Sequence, residues 1–212
     1  MPIRKGRKRK KFSFPSSRLQ TLFSRYNGGV PFRIRKFQKT DFDTLWRIDQ
    51  VCFDRQMAYS RPELAFYMRR TGAFTLVAEK RSASATEGQD HSAPERQGDS
   101  ARAGQSDSQP SSVLGFIVAE ARRRTGHIIT IDVVAEARRL GVGSALLAAA
   151  ENNLREAGAE TVALETAVNN EPAIRFYKEK GYFVEKTVRG YYSGQLDALE
   201  MVKELAISTK QS

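Results

Sequence analysis

The chain has 212 residues, 40% of them hydrophobic, and a formal charge of +11. That is long enough for one hydrophobic core and short for two full domains, so one domain with appendages is expected. No stretch approaches ~18 consecutive apolar residues, and the amino terminus is basic and polar with no apolar segment, which argues against a membrane span or a secretory signal and for a cytoplasmic protein.

The opening MPIRKGRKRKKF carries seven Lys or Arg and no acid. Such a run buries no apolar area. It reads either as a solvated tail or as an electrostatic arm toward a phosphate-rich partner such as RNA or the ribosome, and residues 1–31 are taken as a basic, disordered extension. PFRIRKF then reads as a first strand, DFDTLWRIDQVCF as a helix capped by Thr40 or Asp41, and RPELAFYMRRTG as a second helix with Pro62 in its first turn and Gly72 at its end. The lone cysteine, Cys52, has no internal disulfide partner, and its spacing turns it inward as a core residue rather than a nucleophile. The two histidines, His91 and His127, occur in different contexts, so a zinc cage and Cys/His or Ser/His/Asp catalysis lack parts, and no metal is expected.

AFTLVAEK and VLGFIVAEARR read as the second and third strands. Residues 81–112 between them contain no Val, Ile, Leu, Met or aromatic residue and read as a disordered insertion replacing a hairpin turn. Loop closure grows only logarithmically with length, so such an insertion costs ~2 kcal/mol over a short turn. GHIITIDVVAE is a fourth strand, followed by a glycine turn and a helix over 141–157 that Gly158 closes. AETVALETAV is a fifth strand and NEPAIRFYKEKG a fourth helix. YFVEKTVRGYY and QLDALEMVKEL form a final hairpin around Ser193 and Gly194. The order β-α-α-β-β-β-α-β-α-β-β predicts a mixed α/β domain with one sheet over residues 32–205, followed by a short tail at 206–212.

A strand that turns through glycines into a helix presents unpaired N–H groups and the positive end of the helix dipole, which favour an anion. RRLGVGSALL fits that description. A nucleoside-triphosphate loop would need G-x-x-x-x-G-K-[ST], which is absent, and a dinucleotide fingerprint would need a third glycine where Leu146 stands.

Arg138, Gly141 and Gly143, spaced R-x-x-G-x-G after the fourth strand, resemble the pyrophosphate loop of the GNAT superfamily of acetyl-CoA-dependent N-acetyltransferases. LETAVNNEPAIRFYKEKGYF, with Glu165, Asn170 and Tyr177, resembles ribosomal-protein alanine N-acetyltransferases of the RimI type and the catalytic subunits of amino-terminal acetyltransferases. So does YYSGQLDALEM, with Tyr191, Tyr192, Asp197, Ala198 and Met201. The resemblance implies a single GNAT fold: a mixed, mostly antiparallel twisted sheet flanked by four helices and splayed between strands 4 and 5. It also places the insertion on the far side of the sheet from the glycine turn.

The chemistry implied is direct transfer of acetyl from acetyl-CoA to an amine. The loop Arg138, Arg139, Leu140, Gly141, Val142, Gly143 and Ser144 would hold the pyrophosphate, mainly through backbone N–H groups with charge from the two arginines. Ile131, Asp132 and Val133 would run beside the pantetheine arm, with the Val133 N–H facing the thioester oxygen. Asn170 would cap the fourth helix and contact the coenzyme. Glu165 would be the base, directly or through water, and Tyr177 the acid that protonates the departing thiolate. Tyr59, Tyr191 and Tyr192 would line the groove of a peptide amino terminus, the favoured acceptor. A lysine side chain or small amine remains an alternative acceptor, and an RNA- or ribosome-associated binding protein with a degenerate acetyltransferase body is the non-enzyme alternative. A monomer is expected. The chain departs from the resemblance at Ala135 and Ala137, where relatives carry a proline and an aromatic residue, and at Asp54, where alanine acetyltransferases carry a proline.

Overall fold

A computed structural model describes residues 31–55, 57–81 and 113–205. The readings of the basic extension, the insertion and the C-terminal tail lie outside these residues. The strands are β1 Phe32–Lys36, β2 Ala73–Lys80, β3 Val113–Arg122, β4 Thr125–Val133, β5 Thr161–Ala167, β6 Phe183–Tyr192 and β7 Leu196–Glu204. The helices are α1 Phe42–Cys52, α2 Arg61–Arg69, α3 Val142–Glu156 and α4 Glu171–Glu179. The element order is the one expected. Boundaries move by a few residues, most at β4, which stops at Val133 and gives way to a 3-10 turn at Ala135–Ala137.

One seven-stranded sheet runs β1-β2-β3-β4-β5-β7-β6. All its pairs are antiparallel except β4 with β5. That parallel pairing starts at Thr125 with Thr161 and ends at Ile128 with Leu164, although both strands continue. A bulge accompanies the parting. Ile128 pairs with Ala119 and Thr130 with Val118, which leaves Ile129 as an extra residue on β4. An extra residue bends and twists its strand, here at the point where β4 leaves β5.

Both faces of the sheet are covered. Leu146, Leu147, Ala150 and Leu154 of α3 bury themselves against Leu76, Ile117, Ile128 and Leu164 on one face. Leu45 and Ile48 of α1 and Leu64 of α2 pack on Val77, Phe116 and Val118 on the other. This explains why the middle of β3 is buried without alternation: a strand covered on both sides reads as a continuous apolar run. At α2, Ser60 and Glu63 form a reciprocal capping box, worth ~1 kcal/mol. The expected cap of α1 is only half right. Asp41 stands at the N-cap position, but its carboxylate is held by Arg35 at 2.7 and 2.8 Å and makes no cap bond.

The strand ends that flank the insertion do not lie on the far side of the sheet from the glycine turn, as the resemblance implied. Gly115 pairs with Val133, and the Val134 N–H donates to the Leu114 carbonyl at 3.0 Å. The chain therefore leaves β2 and enters β3 at the edge of the sheet where β4 ends and the turn begins. The start of β1 lies there too, since the Arg81 N–H donates to the Pro31 carbonyl at 2.8 Å. The geometric reason is plain: β4 runs antiparallel to β3, so the end of one is beside the beginning of the other. Among the described residues, no helix is long and apolar enough to cross a membrane.

Candidate active-site cleft

Where β4 and β5 part, they open a cleft of about 620 Å³. That size suits a small-molecule ligand. Ile128–Val133 form one wall and Leu164–Ala167 the other. The glycine turn and the start of α4 close one end and Phe53, Met57, Tyr59 and Tyr192 border the other, while Cys52 lies where the two meet, its thiol near Val133 and Arg138.

The glycine-turn end is built largely of backbone. Arg139 has φ +64° and Gly141 φ +82°, so two left-handed residues reverse the chain before α3 begins. Glycine suits the second of them because it has no Cβ to clash. The Ala145 N–H takes the Gly141 carbonyl at 2.9 Å and closes the first helical turn. The N–H groups of Val142, Gly143 and Ser144 precede that bond, and helix geometry leaves them without an intrahelical acceptor at the positive end of the dipole. Gly143 lines the cleft, yet a Cβ built there would meet protein atoms no nearer than 3.7 Å. Packing does not demand a glycine at 143. A methyl group there would make only ordinary contact with Val133 and Phe176, and its absence keeps the unpaired N–H groups accessible to an anion approaching the backbone closely.

Of the residues expected here, Arg138, Arg139, Gly141, Gly143, Ser144 and Asn170 border the cleft with Ile131, Asp132 and Val133. Leu140 and Val142 do not. Val142 is buried in the core beneath α3, so only its backbone faces the turn. Arg138 is turned differently from expectation: its Nε donates to the Val133 carbonyl at 3.0 Å, bracing the end of β4. Asn170 caps α4, its Oδ1 accepting from the Ala173 N–H at 3.2 Å. Lys180, which the sequence reading passed over, borders this end as a further cation.

The opposite end is built of side chains. Glu165 accepts a hydrogen bond from His127 Nε2 at 2.7 Å and from the Tyr191 hydroxyl at 3.2 Å. Burial acts to raise the Glu165 carboxyl, but the hydrogen bond and charge of His127, helped by Tyr191 and Lys186, hold it below the usual carboxylate range. The sequence gives His127 no role, since the two histidines occur in different contexts. The signal lay in the sheet register: His127 pairs with Ala163, two residues before Glu165, on adjacent parallel strands. Tyr191 is not part of the cleft wall but touches two residues that are, Glu165 through its hydroxyl and Tyr192 through its ring.

Tyr177, on α4, is buried with its ring edge-on to Phe176 and Tyr182, and it borders the cleft. Burial is the main cause that raises its hydroxyl, so it stays protonated at any physiological pH. Tyr59 sits under the α1–α2 connection. Its N–H is held by Asp49 at 2.8 Å and its carbonyl by Trp46 and Gln50 at 3.2 and 2.8 Å, while its hydroxyl donates to the Ile129 carbonyl at 3.5 Å. Cys52 is not a simple core residue. It is half-buried on the cleft wall, its thiol 3.5 Å from the Val133 carbonyl.

The arrangement can place an anionic group at the α3 N-terminus and expose a reactive centre to a carboxylate on one side and a protonated hydroxyl on the other. Among the described residues, no group of three or more His, Cys, Asp or Glu is placed to hold a metal ion.

Comparison with known proteins agrees with this geometry. The acetyltransferase (GNAT) family matches residues 78–182. An N-alpha-acetyltransferase of Sulfurisphaera tokodaii is 42% identical over 83 residues, 39% of this chain and 50% of that protein. The chain spans about half the length of the curated relatives it matches. Among solved structures, Ard1 of Thermoplasma volcanium superposes with a TM-score of 0.63 at 26% identity, covering 82% of this chain and 97% of that one. NAA60 of Arabidopsis thaliana in complex with acetyl-CoA superposes with a TM-score of 0.62, covering 82% and 98%; at 18% identity it speaks for the fold alone.

Proposed function

From a chain that carries a GNAT acetyltransferase domain, we propose an enzyme that moves acetyl from acetyl-CoA to the α-amino group of a protein amino terminus. The observation that carries the reading is the joining of two unlike ends by one cleft: a backbone anion site at the start of α3, and the Glu165 carboxylate with the Tyr177 hydroxyl beyond it. The N-alpha-acetyltransferase names of the relatives support the α-amine over a lysine side chain.

The N–H groups of Val142, Gly143 and Ser144 hold the coenzyme's diphosphate, with Arg139 and Lys180 adding charge at the rim. Ile131 and Val133 flank its arm. Glu165 removes a proton from the attacking amine, which becomes strongly acidic as its bond to the acyl carbon forms; a carboxylate held below its usual range is base enough for that step. His127, one-third exposed behind Glu165, gives the proton a way to water. Tyr177 supplies a proton to the departing thiolate.

Transfer is direct. Cys52 is the one thiol on the wall, and burial first, then the charge of Asp132, raise it, so it stays protonated and a poor nucleophile.

The test is to incubate the protein with acetyl-CoA and peptides that carry a free α-amine and an internal lysine, then locate the added acetyl by mass spectrometry. Acetyl at the α-amine is expected. Acetyl confined to lysine, or a peptide left unmodified across a mixed library, overturns the reading.

A further inference from the structure

Glu165 looks out on one particular face of the sheet. Leu164 packs under α3, so Glu165, the next residue of β5, points to the opposite face, the one that carries α1 and α2. His127 hydrogen-bonds Glu165, and Glu120 of β3 stands directly opposite His127. Glu120 is two residues beyond Val118, which packs beneath α1 and α2, so it shares that face. The helix-covered core there reaches no further than Ile129 of β4, and no described helix packs over β5, β7 and β6 on this side. An acceptor reaches Glu165 from this face.

An aromatic ledge leads away from the cleft on the same side. Tyr59 borders the cleft, the Tyr67 ring lies 5.1 Å from it, and the Phe66 ring lies 5.6 Å from that of Tyr67 and is 62% exposed. Tyr67 is also within electrostatic reach of Tyr191, across the mouth. The Arg70 guanidinium sits over the two outer rings, 5.7 Å from Tyr67 and 5.8 Å from Phe66, and its Nε pairs with Glu120 at 3.4 Å. Arg122 Nε pairs with the same carboxylate at 2.7 Å. Among the described residues neither arginine has another ion pair, and Glu120 is 3% exposed. One buried carboxylate therefore serves two arginines, and one positive charge is left over at the end of the ledge. Across the mouth no such surplus arises, because Glu200 balances Lys186 at 3.0 Å. A cation already held by two rings and a carboxylate loses little freedom when it binds.

We propose that the surplus charge of Arg70 and Arg122 selects acceptors that carry an acidic side chain a few residues behind the amino terminus. The inference rests on the acetyl-transfer reading above and names the class of acceptor. Glu120 lies two strands across from Glu165 and about two residues along, roughly 10–12 Å, which three or four residues of extended chain span. The acid therefore falls at the third, fourth or fifth residue of the acceptor, with the chain between laid on the aromatic ledge.

The test measures kcat/KM for peptides that differ only in bearing Glu, Gln or Lys at each of those positions. Wild type favours Glu over Gln by about fivefold at one of them, the size an exposed charge pair reaches, and disfavours Lys. The preference lies mainly in KM and shrinks as salt is added. Removing either arginine lets Glu120 balance the one that remains, so Arg70→Gln and Arg122→Gln each bring the Glu-to-Gln ratio close to one. Glu120→Gln removes the balancing charge and raises the ratio, an outcome that a merely structural carboxylate would not give. Arg33→Gln, on β1 at the other side of the sheet, keeps the wild-type ratio. Each ratio is taken within one preparation and does not depend on how much of it is folded.

Equal rates for the three peptides, a preference for Lys, a ratio that survives both arginine variants, a ratio that falls in Glu120→Gln, or one that falls equally in Arg33→Gln overturns the proposal. A protein that acetylates all the peptides alike overturns this inference and leaves the acetyl-transfer reading standing; one that acetylates no α-amine overturns both.

Discussion

The two ends of the cleft are made of different material. At the glycine turn, the groups that would meet a ligand are backbone N–H groups of one continuous segment, and the side chains matter mostly by being small or turned away, as Gly143 and Arg138 are. At the far end the working groups are side chains from separate elements: His127 from β4, Glu165 from β5, Tyr177 from α4 and Tyr191 from β6. A backbone site is local in sequence and survives most substitutions along it. A side-chain site depends on strand register, and each member acts through its neighbour. The first end should therefore control binding and the second turnover.

The largest expected effect tests the second half of that division. Glu165→Gln removes the base but preserves an acceptor for His127 and Tyr191, so kcat should fall ~10²–10⁴ with acetyl-CoA affinity within about twofold. Steady-state acetylation and calorimetry on the same sample check it. A parallel loss of affinity would mean the two ends are not separable. Tyr177→Phe should behave alike with a smaller loss, ~10–10², since water can replace the acid in part; an unchanged kcat would remove Tyr177 from the chemistry.

Gly143→Ala tests the first half, and its two readouts should move in opposite directions. A methyl group at 143 meets Phe176 and Val133 at 3.7 Å, an ordinary contact, and sits in the first turn of α3 at an ordinary φ, so thermal stability should rise by the helix preference of Ala over Gly, about 0.5–1 kcal/mol. The same methyl stands where the diphosphate would approach, so acetyl-CoA should bind about tenfold more weakly, ~1.4 kcal/mol. A loss of stability together with affinity would make Gly143 a packing glycine.

This difference in material also decided what the sequence could tell. Strand alternation, Pro62, Gly158, Gly181 and the Ser193–Gly194 turn mark element ends chemically, and the element order follows from them. The glycine turn is legible because its function and its fold use the same few consecutive residues. Arg139 is legible as a loop cation, but its left-handed conformation has no signature in composition. His127 escaped for another reason. Its partner is 38 residues away, and only the parallel register of β4 and β5 makes them neighbours. Which edge the β2–β3 connection leaves from follows from strand direction in the β3–β4 hairpin, and strand order with a family resemblance does not give it.

The smallest expected effect concerns Cys52, which lies where the two ends meet. Its thiol is 3.5 Å from the Val133 carbonyl and 3.8 Å from the Arg138 guanidinium, close enough to the reacting region that a covalent acetyl-enzyme is a geometric option. Electrostatics opposes it. Burial and Asp132 raise the thiol, Arg138 and the Val133 carbonyl contact lower it, and the net result is a thiol more reluctant to ionise than free cysteine. Cys52→Ala should therefore keep kcat within about twofold, since the thiolate that a covalent route needs is scarce at neutral pH. Initial rates measured against both substrates should give intersecting rather than parallel reciprocal lines. Parallel lines that vanish with Cys52→Ala would make the side-chain end of the cleft a two-step site and move the base role of Glu165 from the amine to the thiol.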